Sequence, residues 1–356
     1  MTVSRRLLLA GAGILVLGPA LGWSAQDEWV PYHKRPDVRE WAEGVAASEA
    51  DLTADWILQC LSRARYVSRT ARIMKKPAFT ASPKPRNWLA HKQAFVTAER
   101  IHRGKQFIEQ NTAALKYASD RWKVPASIIA AIIGIETTFG KNMGRYRVLD
   151  TLCTLSFDYT RRAAYFRNEL LAYFKLCRQS NASPERIYGS FAGAIGLCQF
   201  MPSNILNLGI DLDRDGAVDL RRSPTDAIGS VANFLNYHGW DASLPIVWQC
   251  EMNMATAKRL GCCAASLTTT LQNALDAGVR VSEPMNCPPD TPVLVIDLPI
   301  ELPLEKRDTL WRLGSVNFAA LLLYNRSFFY AESVRELALA LAEATSPEAE
   351  RKGFTG

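Results

Sequence analysis

One carboxyl stands in an unusual setting. Glu136 is the only charged residue between Lys123 and Lys141, and the run before it, 128–135, is apolar almost throughout. A helix that is greasy on every side is a buried one. Pro125 suits its first helical position and Gly140 its C-terminal stop, so Glu136 falls near the negative end of the helix dipole. Burial and dipole both disfavour the carboxylate, and both raise its pKa. A carboxylic acid still protonated near neutral pH is what general acid catalysis on an ether-like leaving group requires. The same pattern also describes a buried Glu neutralised by an arginine, and these residues alone leave both readings open.

A second constellation is acidic. Asp211-x-Asp213-x-Asp215-Gly216-Ala217-Val218-Asp219 reproduces the first nine positions of an EF-hand calcium loop, including the turn glycine and a backbone-carbonyl position at Ala217. Position twelve, normally a bidentate Glu, is Arg222, and the next acid is Asp226. Ser223-Pro224-Thr225-Asp226 is also a good helix start, so Asp226 is either the displaced last ligand or a capping residue. A metal-free Asp/Gly turn is the alternative to a weak, structural calcium site. Other chemistries fall away. Five residues separate Gly134 from Gly140 and Asn142 follows Lys141, which fails the phosphate-loop pattern; the four histidines (33, 91, 102, 238) form no zinc motif; and there is no Gly-x-Ser-x-Gly elbow.

These groups need a scaffold. Helical periodicity runs through 38–75 (Trp41, Val45, Leu52, Trp56, Ile57, Leu61), and a loop containing Pro and Lys follows at 77–87. Further helices are expected at about 97–121, 124–140, 161–179, 224–238 and 331–345, with a Gly-rich stretch at 189–196. From 280 to 305 six prolines punctuate short β-prone runs. The fold class is therefore mainly α (α+β), with a small β-containing C-terminal region. A tail at 346–356 reads as disordered.

The whole chain has 356 residues, 48% of them hydrophobic, and a net charge of +7 from 42 basic and 35 acidic residues. That excludes collagen-like, coiled-coil and disordered classes. Residues 1–25 carry only Arg5 and Arg6 before an apolar run, 7–21, that Pro19 interrupts. This is the form of an export signal, twin-arginine-like in Ser4-Arg5-Arg6-x-Leu-Leu, with an uncleaved inner-membrane anchor as the alternative. Its removal leaves 40 − 35, or +5. No cysteine precedes Cys60, so the protein is not read as a lipoprotein. Cys153, Cys177 and Cys198 read as small buried residues. Cys250, Cys262, Cys263 and Cys287 are the better disulfide candidates in an oxidising compartment.

Several ordered motifs then bring a family into view. Residues 133–140 (Ile-Gly-Ile-Glu-Thr-Thr-Phe-Gly), 147–152, 155–166 (with Tyr159, Arg161, Arg162 and Tyr165) and 189–203 (with Ser190, Gly196 and Gln199) resemble the B family of lytic murein transglycosylases. So do 226–240 and Tyr324-Asn325-Arg326-Ser327. The similarity covers roughly 38–345 and is dense over 125–240. It implies a catalytic domain over 26–345, with a lysozyme-like helical core at about 97–240 and a C-terminal subdomain at about 241–345. The expected activity is cleavage of the β-1,4 bond between N-acetylmuramic acid and N-acetylglucosamine in peptidoglycan, leaving 1,6-anhydro ends. Glu136 matches the single acid/base, while Asp150 and Asp158 read as structural. By the same resemblance Arg161, Arg162, Ser190, Gln199, Tyr324, Asn325 and Tyr330 contact substrate. Asp211, Asp213, Asp215, Ala217 and Asp226 would hold calcium, which the chemistry does not need. His91 stands where the family commonly has a Tyr. The resemblance further implies a periplasmic monomer acting on glycan strands, open to other wall-synthesis or remodelling proteins, with no nucleic-acid partner. A non-catalytic peptidoglycan-binding or scaffold protein and a hydrolytic muramidase are the alternatives.

Overall fold

The computed structural model describes residues 29–75, 86–302 and 306–345. The expected signal at 1–25, the tail at 346–356 and most of the loop at 77–87 lie outside the described residues. The helical pattern at the start resolves into α1 (Pro36–Ser48), α2 (Ala54–Leu61) and α3 (Ser68–Lys75). Then come α4 (Trp88–Phe95), α5 (Ala98–Gln110), α6 (Thr112–Trp122) and α7 (Ala126–Thr137), the helix that carries Glu136. A two-residue strand, β1 (Tyr146–Arg147), leads to α8 (Val148–Phe157) and α9 (Ala163–Gln179), and pairs antiparallel with β2 (Tyr188–Gly189). Next are α10 (Pro202–Leu208) and α11 (Pro224–Tyr237).

The β-prone region forms one five-stranded antiparallel sheet interleaved with short helices: β3 (Val247–Glu251), α12 (Met254–Arg259), β4 (Thr269–Thr270), α13 (Leu271–Asp276), β5 (Arg280–Val281), β6 (Pro292–Glu301) and β7 (Arg307–Gly314). Its strand order is β4-β6-β7-β3-β5. The long β6–β7 pair runs in register from Leu294 opposite Gly314 to Glu301 opposite Arg307. Two helices, α14 (Val316–Tyr324) and α15 (Phe328–Thr345), close the described chain.

Side chains of β6 alternate between two cores, as strand geometry requires. Leu294, Ile296, Leu298 and Ile300 join the main helical core, whereas Val293 and Val295 join a smaller cluster with Trp248, Trp311 and Leu313. The expected C-terminal segment, 241–345, therefore holds two kinds of structure. Its sheet carries the smaller cluster, while α14 and α15 belong to the main core and α15 lies against α4, α5 and α7. A largely buried ion cluster fixes α15 over β7. Glu332 accepts two bonds from Arg335 (2.8 and 3.0 Å) and lies 3.8 Å from Arg312. Asp150 and Asp158 tie down the N-terminal helices. Asp158 accepts from Tyr32 (2.5 Å) and Arg35 (2.6 Å), and Asp150 accepts from the Arg65 N–H (3.0 Å) and pairs with Arg147.

Three expectations need correction. Pro125 is the N-cap of α7, with ψ 138°, not its first helical residue. The helix stops before Gly140, because Thr138 and Phe139 take the left-handed conformation themselves (φ 52° and 55°). None of the eight cysteines is in a disulfide.

Candidate active site

The end of α7 is held by side chains, which compensates for two non-glycine residues at positive φ. Thr137 Oγ1 donates to the carbonyl of Leu197 (2.9 Å) and accepts the N–H of Gly140 (3.0 Å), so the helix terminus is bonded to the Gly-rich stretch. The Phe139 ring then folds back beneath α5 and α7. A Cβ at Gly104 or Gly134 would lie 2.8 or 2.6 Å from that ring, so only glycine allows it to fit. This hairpin leaves Glu136 half-buried at the surface of the main core. Its carboxyl accepts a 2.7 Å hydrogen bond from the Tyr330 hydroxyl, contributed by α15. Burial pushes the Glu136 pKa up to about 7, against the pull of the Tyr330 hydrogen bond.

A second tyrosine supports the first. Tyr324, at the end of α14, stacks on Tyr330 at 6.3 Å and 18°, touches Phe234 and Phe200, and donates its hydroxyl to the Cys198 carbonyl at 2.5 Å. Burial drives both tyrosine pKa values well up, so both hydroxyls keep their protons. Burial also raises the Cys198 thiol to about 12, which makes it an inert packing group. Gln199, next in the chain, adopts φ 52°. Its amide donates to Gly196 O (2.8 Å) and Met143 O (3.3 Å), while its side-chain oxygen takes no bond from the described residues.

The Gly-rich stretch makes this turn possible. Gly196 has φ +81°, and a Cβ there would sit 2.3 Å from the Leu220 carbonyl; a Cβ at Gly144 (φ +89°) would sit 2.0 Å from the Gly189 carbonyl. Close backbone approach of this kind is what glycine permits. Ser190 organises the loop, accepting the N–H groups of Ala194 (3.0 Å) and Ala192 (3.3 Å). Ser190 and Gln199 line an open cleft of about 610 Å³ with Arg69, Lys141, Met143 and Arg145.

The structure thus assembles Glu136, Tyr330, Tyr324 and the Cys198–Gln199 turn, with Ser190 and Gln199 on the adjoining cleft. It does not bring all the expected residues to that point. Arg161 and Arg162 are exposed at the start of α9, where Arg162 lies over the Tyr165 ring at 4.1 Å, and neither lines that cleft. Asn325 is exposed at the C-cap of α14. The sequence pattern gave no sign of Arg69 and Arg145, which reach the cleft from separate segments and have no side-chain partner among the described residues. His91 lies on α4 in a stack with Phe95 (4.4 Å), Phe329 (5.1 Å) and Trp88 (5.9 Å), and burial lowers its pKa. It fills an aromatic position beside the residue preceding Tyr330.

The acidic loop converges only in part. Carboxylate oxygens of Asp211, Asp213 and Asp226 lie within 4.8 Å of one another, an all-oxygen donor set that suits a hard cation. Asp215 stands apart from that group, its Oδ1 accepting the N–H of Ala217 (3.0 Å). Asp226 lies in the helix start read from the sequence, but Ser223 is the cap and the Asp226 carboxylate turns to the loop. It is buried in the first turn of α11, where its N–H is capped by Ser223 Oγ (3.1 Å). Its two carboxylate oxygens take the N–H groups of Leu212 (2.9 Å), Asp213 (3.4 Å) and Asp219 (2.9 Å). Its pKa is raised by burial and opposed by those backbone donors.

A helical body with a half-buried acid at the end of an apolar helix, beside an open cleft, is the arrangement of lysozyme-like glycan-cleaving enzymes. Comparison with known proteins narrows it. Residues 36–339 match the Transglycosylase SLT domain family. Membrane-bound lytic murein transglycosylase B of Escherichia coli (strain K12) is 35% identical over 292 residues, 80% of this chain and 77% of that protein. Catenated lytic transglycosylase SltB1 from Pseudomonas aeruginosa superposes with a TM-score of 0.81 at 32% identity, covering 88% of this chain and 100% of that one. The Escherichia coli lytic transglycosylase Slt35 in complex with calcium gives 0.75 at 30% identity, covering 88% and 94%. The chain belongs to the lytic murein transglycosylase family.

Proposed function

We propose that Glu136 alone performs both proton transfers of a lytic transglycosylase acting on peptidoglycan glycan strands. Family membership makes the protein a peptidoglycan-cleaving enzyme of the lyase type. The observation that carries the assignment of roles is the Tyr330–Glu136 hydrogen bond at the end of α7, with the acid raised to about 7. Glu136 in its protonated form gives its proton to the glycosidic oxygen. The resulting carboxylate then takes the proton of the muramoyl C6 hydroxyl, which closes the 1,6-anhydro ring in place of attack by water. Tyr330 steadies the carboxylate between the two steps, because its hydroxyl donates to the charged form. No second acid is needed, whereas hydrolases of either stereochemistry normally use two. Asp150 and Asp158 are already engaged by Arg65, Arg147, Tyr32 and Arg35.

Ser190 and Gln199 contact the glycan from the adjoining cleft wall, and Tyr324 holds the Gln199 turn through Cys198. Arg69 and Arg145 give that cleft two partner-free cations for the carboxylates of peptide stems. Arg161, Arg162 and Asn325 act further along the strand. Asp211, Asp213 and Asp226 would hold calcium, which would brace the loop at 211–219 outside the chemistry. Among the described residues no helix is long and apolar enough to cross a membrane. The pattern at 1–25 supports export to the periplasm by the twin-arginine route. Digestion of purified sacculi followed by mass spectrometry tests the reading. Anhydromuropeptides are expected from the natural chain, with their release from Glu136→Gln slowed by roughly 10²–10⁴-fold. Reducing ends instead would make the enzyme a hydrolytic muramidase, and binding without products would make it a scaffold.

A further inference from the structure

Away from the cleft, α12 and its C-cap Leu260 are followed by Gly261-Cys262-Cys263, with Gly261 at φ +77° and Cys263 at φ +74°. Successive side chains in ordinary extended or helical backbone point apart; the left-handed turn here brings the two thiols together, Sγ to Sγ at 2.7 Å. They face the sheet surface that carries the smaller core. On that face of β6, the row Val293, Val295 continues to Asp297, whose carboxylate lies within 4.8 Å of both sulfurs and accepts a hydrogen bond from the Cys263 thiol. Arg86 pairs with Asp297 at 3.3 Å. Cys263 is exposed and Cys262 half-buried, in contrast to the fully enclosed Cys60, Cys153, Cys177, Cys198 and Cys250. An accessible thiol with a second thiol in contact is the arrangement of an exchangeable dithiol, while burial, Cys263 and Asp297 all disfavour the Cys262 thiolate, so Cys263 is the attacking group.

We propose that Cys262 and Cys263 form a reversible vicinal disulfide, a modification site on the second core of this enzyme. The oxidant is an external disulfide. The Cys263 thiolate attacks one of its sulfurs and expels the first external thiolate; Cys262 then attacks Cys263 Sγ and expels the second. One S–S bond is broken and one formed, and the two thiol protons pass to the two departing thiolates. Adjacent Cα atoms across a trans peptide are about 3.8 Å apart, closer than disulfides usually span, so the bond is a strained and easily reduced one.

Intact-mass analysis and peptide mapping of the full chain test this, after incubation with oxidised or reduced glutathione and alkylation in denaturant. The natural chain and Cys287→Ser are expected to lose two adducts on oxidation, both from the peptide containing residues 262 and 263, and to regain them with dithiothreitol. Cys262→Ser should stop at the mixed disulfide, losing one adduct and carrying one glutathione instead, and Cys263→Ser should never lose more than one; neither variant should lose two without a bound glutathione. The chain oxidised while unfolded should form this bond in much lower yield, since the turn at Gly261–Cys263 is what aligns the sulfurs. Unchanged adduct numbers, pairing of either residue with Cys287, or protection released by a chelator and not by reductant would each overturn the proposal. The last result would make Cys262, Cys263 and Asp297 metal ligands instead.

Discussion

The Glu136→Gln substitution separates stability from activity in a way that the site geometry dictates. In the folded protein the Glu136 carboxyl titrates near 7 against an ordinary 4.5, so the folded state holds this proton more tightly than the unfolded chain. Stability from this group is therefore fully present below pH 4.5, declines as pH rises, and is lost once pH passes about 7. The span corresponds to at most about 3 kcal/mol, somewhat less because the residue is only half-buried. Glutamine does not titrate, keeps nearly the same shape and still offers an oxygen to Tyr330. The stability difference, variant minus natural chain, should thus grow by about 2–3 kcal/mol between pH 4 and pH 8. Urea unfolding of both chains across that range measures it, alongside a fall in transglycosylation of roughly 10²–10⁴-fold. Parallel stability curves would refute the claim that burial raises this acid, whatever happened to activity.

Other outcomes follow from the same contacts. Tyr330→Phe removes the bond that favours the carboxylate, so the alkaline limb of the pH–rate profile, set near 7 by Glu136, should move to higher pH while the rate drops. A limb unmoved in Tyr330→Phe would mean that another group sets it. Calcium at about 5 mM should stabilise the protein by about 1–2 kcal/mol if its affinity is of the extracellular grade; Asp211→Asn with Asp213→Asn should abolish that shift in a thermal melt. Removing Arg69 and Arg145 together should lower kcat/KM on peptide-bearing strands several-fold and leave peptide-free glycan unaffected, as chromatography of the products from both substrates would show. Gly196→Ala should destabilise by more than about 1 kcal/mol, from positive φ alone before the contact with Leu220 is counted.

The features legible in the sequence were those with local causes. Glu136 is visible because the apolar run around it has no other charge, and that run is the helix now seen at 126–137. The Ser-Pro-Thr-Asp start of α11 was equally plain, and Ser223 does cap it. Long-range features were not readable without the family motifs. Tyr330 lies 194 positions from the acid it touches, and nothing in periodicity pairs them. Arg69 and Arg145 carry no pattern at all; the close approach of Gly144 to Gly189 brings the segment of Arg145 to the cleft, and Thr70, bonded to the Phe191 carbonyl (3.2 Å), brings that of Arg69. The end of α7 misled for a physical reason. Thr137 bonds both sides of the turn, which lets Thr138 and Phe139 take conformations that glycine usually supplies. The disulfide candidates illustrate the opposite limit, since clustering along the chain did not oppose Cys250 or Cys287 to a partner.

The contact between α7 and α15 also orders events in time. The helix that carries Glu136 lies in the first half of the chain, yet its hydroxyl partner is delivered by the last helix described. A ribosome that stops short of Phe328 releases a chain with an exposed acid and no Tyr330, and the main core lacks the helix that α4, α5 and α7 pack upon. A peptidoglycan-cleaving enzyme thereby lacks the partner of its acid until the chain has been made past Tyr330.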